Sequence, residues 1–241
     1  MFILGAICCR AGSKGVKDKN IKCLDGKPLI SYTIETALQC ELLDDITVST
    51  DSETVMKMAE QYEIKNIFKR PAELATDTAS KWNVFIHLLE TYEMRSGIKI
   101  DYIVDMDVTV PLKTREDIEG AIQTAIKNPV ADVIITGYEP DRNPYFNMVE
   151  IGDDGFAHIV KQPHESIVSR QDAPVVYSLT PAAYVIKKEA LYKYEHWSKA
   201  KCIIHPVPRE RAIDIDTEMD FKIVEFFYHA DKILEFVNVR Q

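Results

Sequence analysis

The chain has neither a GxxxxGK[ST] loop nor a GxGxxG fingerprint, so the two commonest nucleotide-binding loops are excluded. No apolar run approaches the roughly 18 residues that a membrane-spanning helix needs. Residues 1–5 are apolar, but no positive region precedes them and Arg10 follows soon after, which reads as a first strand and not a signal peptide. Basic residues form no block beyond a local cluster at Arg10, Lys14, Lys17 and Lys19, and the net charge is -9, so a nucleic-acid partner is not expected. The five cysteines (Cys8, Cys9, Cys23, Cys40, Cys202) are odd in number and lack CxxC spacing, which points to free thiols in a reducing cytoplasm. His158, His164 and His205 have no partner at metal spacing, and there is no Ser-His-Asp signature. Repeats, low-complexity tracts and Pro/Gly/Ser linkers are also absent, so the 241 residues fit one sizeable domain with room for an insertion.

What is present begins at the front. The apolar run Ile3-Leu4-Gly5-Ala6-Ile7 empties into Cys8-Cys9-Arg10-Ala11-Gly12-Ser13-Lys14-Gly15, with Lys17, Lys19 and Asn20 close behind. A buried strand that runs into a Gly-rich, cation-rich loop suits a phosphate chain, because glycines let backbone N–H groups approach the anion and Arg and Lys add charge. The competing reading is an ordinary strand-to-helix turn. Cys9 reads as a buried strand cysteine, with a catalytic thiol as the alternative.

Strand and helix patterns then alternate. Strands are expected at 3–9, 46–50, 66–68, 102–106, 133–137 and 203–206. Helices are expected at 29–38, 52–62, from a Thr76 or Asp77 cap through 93, at 115–127 and at 217–228. Such alternation implies an α/β fold with a mostly parallel sheet covered on both faces. After Pro140 the rhythm changes to a hairpin over 143–160 and an extended stretch over 175–186, read as an antiparallel excursion from the sheet. Ligands bind beyond the carboxyl ends of parallel strands, so Arg10 to Gly15, Thr50-Asp51-Ser52, Arg70-Pro71 and Asp107-Val108-Thr109 are expected along one edge.

Asp214-Ile215-Asp216 is the second strong signal. In an extended segment residues i and i+2 share a face, so two carboxylates would stand together with Ile215 turned into the core. That suits Mg²⁺, which takes one or two carboxylates and completes its shell with water and substrate phosphates. A solvated acidic turn before a helix is the plainer alternative. The loop Arg70 to Ser80 reads either as a capped helix start or as a cover over a nucleoside, and Arg170-Gln171 as a carboxylate clamp or an interface.

Taken in order, these segments resemble the acylneuraminate cytidylyltransferase family over nearly the whole chain. CRAGSKGVKDKNI is similar to the family's ARGGSKGIPRKNI loop, and GKPLISYTIETAL, VSTDSE, RPAELATDTAS, VPLKTREDI and AIDIDTEMDF each match a family segment. The resemblance implies a Rossmann-like, three-layer nucleotidyltransferase fold over residues 1–241, with an antiparallel excursion at about 140–186 that builds a homodimer and the sugar site. It implies transfer of CMP from CTP to the anomeric hydroxyl of a 2-keto-3-deoxy sugar acid. Carried over by motif, Arg10, Ala11, Gly12, Ser13, Lys14 and Asn20 hold the nucleotide, with Arg70 and Ser80 beside it. Lys19, Arg10 and Asp214 act in catalysis, and Asp214 and Asp216 bind Mg²⁺. Asp107, Thr109, Arg170, Gln171 and Tyr184 face the acidic sugar.

The departures lie on the sugar side. The family's LQPTSPLR is here Met106-Asp107-Val108-Thr109-Val110-Pro111-Leu112-Lys113, so Asp107 replaces a Gln. Thr180-Pro181 replaces Asn-Gly, and Phe146 stands where a Lys is frequent. An ionised Asp107 only accepts hydrogen bonds and repels a carboxylate, so the expected acceptor is not plain N-acetylneuraminate. A sugar 1-phosphate nucleotidyltransferase and a catalytically silent nucleotide-binding subunit remain as alternatives. A GT-A glycosyltransferase fits less well, because its DxD normally follows a mid-chain strand.

Overall fold

A computed structural model describes residues 1–12, 15–162 and 169–238, with the backbone alone for 170 and 231–238. β1 (Ile3–Cys8) is wholly buried, and its side chains alternate between the two faces of the sheet. Ile3 and Ile7 join one apolar cluster, while Leu4, Ala6 and Cys8 join the other. A small hairpin of β2 (Cys23–Leu24) and β3 (Lys27–Pro28) leads into α1 (Leu29–Leu38), opened by Pro28, whose fixed φ suits a helix entrance. Then come β4 (Asp45–Thr50), α2 (Glu53–Gln61) and β5 (Asn66–Lys69). Ser52 caps α2 by accepting from the Val55 N–H at 3.3 Å.

α3 (Lys81–Ser96) starts later than its sequence suggests. Thr76 and Asp77 do not cap it. Asp77 is drawn into an ion pair with Arg10 at 2.5 Å, residues Ala72–Leu74 form a separate 3₁₀ turn, and Ser80 is the cap, accepting from the Trp82 N–H at 3.2 Å. Beyond it lie β6 (Tyr102–Asp105), α4 (Arg115–Lys127) and β7 (Val133–Tyr138). α4 begins with a capping box, Thr114 and Asp117.

The antiparallel part of the chain is divided. Only β8 (Val149–Ile151) and β9 (Ala157–Ile159) form a separate hairpin. β10 (Ser178–Lys187), expected within the excursion, instead enters the main sheet between β6 and β7 and runs antiparallel to both. Its buried Ala182, Ala183, Val185 and Ile186 explain this, since a strand apolar on both faces needs cover on both. α5 (Lys188–Lys193), β11 (Cys202–Pro206) and α6 (Glu218–Asn238) complete the chain.

The seven-stranded order is β11-β7-β10-β6-β1-β4-β5. The chain leaves β1 toward β4 and β5, then crosses back to β6 on the other side, and both neighbours of β1 are parallel to it. That reversal is the topological switch point at which open α/β sheets bind ligands. One core cluster, with Leu29, Ile34, Ile118, Ile122 and Val224, covers one face. The other, with Phe85, Leu88, Leu89 and Leu191, covers the opposite face.

Candidate active site

A cavity of about 410 Å³ opens at the carboxyl ends of β1, β4, β5 and β6, lined by Cys9, Arg10, Gly15, Lys19, Asn20, Arg70, Lys81, Asp107, Thr109 and Asp216 among others. Three of the four post-strand segments line this cavity, and the fourth, Thr50-Asp51-Ser52, adjoins them through Asp51, which accepts from the Ala11 N–H. Ser13 and Lys14 lie outside the described residues.

The first loop is held by its neighbours. Asn20 Nδ2 donates to the Arg10 carbonyl at 2.8 Å, and the Ala11 N–H donates to Asp51 Oδ1 at 2.7 Å. Gly12 adopts a φ of 73°, in the left-handed region that favours glycine. Gly15 is required for a different reason: a Cβ there would run into the carbonyl oxygen of Asp216. Lys19, buried on the 3₁₀ turn Lys19–Ile21, donates to the Ile215 carbonyl and lies 3.3 Å from Asp216 Oδ1. The two ends of the sequence are thus stitched together at this point.

Ile215 is fully buried between them, but the two aspartates line different cavities, Asp216 the one above and Asp214 a second of about 700 Å³ shared with Tyr138, Arg209 and Phe227. Asp216 is open to solvent, whereas Asp214 Oδ1 is buried with no hydrogen-bond partner among the described residues. Burial raises the Asp214 pKa, Asp107 and Asp216 add to the rise, and the Thr109 hydroxyl and Lys19 oppose it. The segment is anchored by the Ile215 N–H donating to the Thr109 carbonyl at 2.9 Å. Just upstream, Arg211 makes a bidentate pair with Asp117 at 2.9 and 2.8 Å.

An orphaned, buried carboxylate oxygen facing other carboxylates is a poor end state without a cation, so the pair fits a divalent metal of the Mg²⁺ kind. No group of three or more His, Cys, Asp or Glu side chains that could hold a metal occurs among the described residues. Mg²⁺ bound here would depend on the two aspartates, water and substrate phosphate.

Arg70 is buried, with Nη2 donating to the Ser49 carbonyl at 3.0 Å and Nε to Ser49 Oγ at 3.4 Å, so its guanidinium is a fixed charge in the cavity wall. Ser80 caps α3 with its hydroxyl oxygen, and of the expected nucleotide contacts Ala11, Gly12 and Ser80 lie outside the cavity lining, Ala11 and Gly12 bordering a smaller cavity with Ser52. Tyr184 pairs in register with Asp105 across β10 and β6. Gln171 is exposed on the turn Arg170–Asp172, away from the cavity, and only the backbone of Arg170 is described. Cys8 and Cys9 are buried, and burial raises both thiols, Cys9 to about 12, so neither forms a ready nucleophile.

Two lysines were missed in the sequence. Lys81 Nζ lies 2.7 Å from Asp107 Oδ2 and 2.6 Å from Asp105 Oδ2. Asp105 is wholly buried and accepts no well-aligned hydrogen bond among the described residues, so the ammonium is its counter-charge. Burial still lifts the Asp105 carboxyl to about 6. Burial also acts to raise Asp107, but Lys81, the Thr109 N–H and Lys113 outweigh it and hold it at about 2. A cation at the first residue of a helix opposes the helix dipole, and that was the available signal for Lys81. Lys113 is buried beneath the same turn and donates to Thr33 Oγ1 at 2.7 Å and to the carbonyls of Asp107 and Val110 at 2.7 and 2.9 Å. Burial drives its pKa down to about 7 against the pull of Asp107 and Asp105.

The arrangement combines fixed cations, a loop of backbone donors and a carboxylate pair, which suits positioning a polyphosphate for displacement without a covalent intermediate. The cytidylyltransferase family model matches residues 4–239. The post-translational flagellin modification protein B of Campylobacter coli is 37% identical over 224 residues, 93% of this chain and 94% of that protein. The CMP-N,N'-diacetyllegionaminic acid synthase of Campylobacter jejuni is 35% identical over 224 residues, with the same coverage. A structure of CMP:2-keto-3-deoxy-manno-octonic acid synthetase complexed with CTP superposes with a TM-score of 0.70 at 15% identity, over 96% of this chain and 100% of that one, which bears on the fold. The chain belongs to the cytidylyltransferase family, and within it to the acylneuraminate group that its collinear motifs resemble.

Proposed function

We propose that the protein transfers CMP from CTP to the anomeric 2-hydroxyl of a 2-keto-3-deoxy sugar acid of the nonulosonate class, and that this acceptor is not plain N-acetylneuraminate. The observation that carries the reading is the stitched site itself, in which Gly15 and Lys19 of the first loop close onto Ile215 and Asp216. The 35% identity to a CMP-N,N'-diacetyllegionaminic acid synthase supports the acceptor class.

In this reading the sugar oxygen forms a bond to the α-phosphorus of CTP. The bond from that phosphorus to the bridging oxygen breaks, pyrophosphate leaves, and the hydroxyl proton passes to a base or to water. Arg10, the backbone of Ala11 and Gly12, Ser13, Lys14 and Asn20 hold the triphosphate. Arg70 and the residues around Ser80 border the nucleoside. Lys19, fixed by burial, neutralises charge that develops at the α-phosphate. Asp214 and Asp216 would hold Mg²⁺, which when bound supplies charge neutralisation and acidifies the attacking hydroxyl. Arg170 and Gln171, which lie outside this chain's cavity lining, would reach the sugar carboxylate from the second copy of the proposed homodimer, with Thr109 and Tyr184 nearer the sugar hydroxyls.

A homodimer belongs to the same proposal. Ile151, Phe156 and Val175, around the β8–β9 hairpin, are each at least 70% exposed, which a second copy would cover. A cytoplasmic setting is consistent with five free cysteines, and no described helix is long and apolar enough to cross a membrane.

Pyrophosphate release with CTP and Mg²⁺ tests the reading across N-acetylneuraminate, N,N'-diacetyllegionaminate, 3-deoxy-octulosonate and two sugar 1-phosphates. Turnover is expected with a nonulosonate and is abolished without Mg²⁺. Best kcat/KM with N-acetylneuraminate would refute the acceptor assignment, and turnover only with a sugar 1-phosphate would refute the reaction.

A further inference from the structure

We propose that Lys81 is a substrate-contacting residue that selects the acceptor sugar, its ammonium clamped between Asp105 and Asp107 so that one N–H points into the cavity at a neutral oxygen of the sugar, a hydroxyl or an N-acyl carbonyl. The proposal rests on the function proposed above and assigns the sugar contact to a residue outside the motifs.

Three observations carry it. First, an ammonium has three N–H donors, and among the described residues one makes an aligned hydrogen bond, to Asp107 Oδ2 at 2.7 Å, while Asp105 Oδ2 lies 2.6 Å away as a counter-charge. Lys81 also lines the cavity and its side chain is 39% exposed, which leaves donor capacity toward a ligand.

Second, Asp107 is largely engaged. Its Oδ1 accepts from the N–H and the hydroxyl of Thr109, both at 3.1 Å, and its Oδ2 from Lys81. Asp107 therefore orients Lys81 and contributes little free acceptor capacity of its own. This revises the sequence-based picture, in which Asp107 met the sugar directly.

Third, the clamp stands on the carboxylate side of the cavity. The Asp107–Thr109 turn is bonded to the Asp214–Asp216 segment through the Ile215 N–H and the Thr109 carbonyl. The first loop reaches the same segment through Gly15 and Lys19, while its Arg10 and Ala11 are tied to Asp77 and Asp51. In the proposed reaction the clamp therefore stands beside the segment that would hold Mg²⁺ and the attacking hydroxyl. Two aspartates around one ammonium leave no surplus positive charge, so the clamp favours a neutral oxygen over a second carboxylate.

The test uses Lys81→Met combined with Asp105→Asn, so that no unpaired carboxylate is left buried, and compares it with wild type. KM is measured separately for CTP and for N,N'-diacetyllegionaminate, N-acetylneuraminate and 3-deoxy-octulosonate. Loss of a charge-assisted hydrogen bond predicts an acceptor KM raised roughly 10- to 100-fold, with the CTP KM within about threefold. A CTP KM that rises in proportion assigns Lys81 to the nucleotide and overturns the proposal, as does a fall in kcat alone or no change in either KM. If the double variant does not fold, Lys81→Arg replaces it, since the charge between the aspartates is kept. An acceptor KM raised at least about fivefold then upholds the proposal, and one within about twofold overturns it. Wild-type silence with every keto acid refutes the functional reading and this proposal with it, and is recognisable because it appears before any substitution.

Discussion

The buried ammonium of Lys19 lies 3.3 Å from the Oδ1 of the exposed Asp216, which is 197 positions away in the chain. The cation is immobilised while the carboxylate is free to turn toward a ligand. In the proposed reaction that asymmetry suits Lys19 to electrostatic stabilisation and Asp216 to ligand exchange.

Lys19→Ala should lower kcat by about 10²- to 10³-fold, the usual cost of removing one preorganised charge or donor at a developing anion. CTP affinity by calorimetry should change much less, within about tenfold. A kcat within about fivefold of wild type would show that Lys19 only braces the Ile215 carbonyl.

Gly15→Ala forces the first loop away from the Asp216 carbonyl, because the added methyl has no space there. A displacement of the loop near 1 Å can cost on the order of 10²-fold in rate. The expected result is a kcat/KM reduced at least about tenfold with a melting temperature within a few degrees of wild type. Unchanged kcat/KM would mean that the loop and the Asp216 segment separate during turnover.

Lys113→Met removes the donor of three hydrogen bonds, to Thr33 Oγ1 and to the carbonyls of Asp107 and Val110. Leaving buried acceptors under-satisfied costs about 1–3 kcal/mol. Urea denaturation should record that loss together with a raised acceptor KM, since the Asp107 turn loses its floor. A stability change under about 1 kcal/mol would contradict this account.

Glu93 gives a pH signature of stability. Burial acts to raise its pKa, but Lys188, the Ile100 N–H and Lys99 outweigh burial and hold it at about 2, against 4.5 in an unfolded chain. The unfolded state therefore binds the proton more tightly, so the stability contributed is complete above about pH 4.5 and disappears as pH falls through about 2. Glu93→Gln should destabilise the protein by about 2–3 kcal/mol at pH 7, and the difference from wild type should shrink toward pH 3. A difference that stays constant from pH 7 to pH 3 would exclude this linkage.

Much of this was legible in the chain. The strand–helix alternation from Ile3 to Lys127 fixes its own periods, because a strand buried on both faces reads as a continuous apolar run and a covering helix repeats every three to four residues. In Asp214-Ile215-Asp216 the alternation gave the burial of Ile215 and the exposure of Asp216, but not the burial of the Asp214 oxygen, which the surrounding fold imposes. The loop from Cys9 to Gly15 marked itself as a candidate site through its glycines and cations, and Cys9, Arg10 and Gly15 do line the cavity.

Other features depended on distant partners. β10 has the same extended pattern whether it leaves the sheet or enters it, and only the gap between β6 and β7 decides that it enters antiparallel. The start of α3 moved from Thr76 to Ser80 because Arg10, far off in sequence, captures Asp77. The roles of Lys81 and Lys113 were also hidden. A lysine carries no periodic signal of its own, and each acquires its role from acids and carbonyls supplied by other elements. Local propensity and period settle which elements form and which chemistry-bearing residues follow them. Which charges face one another is settled by strand order and by the burial that strand order imposes.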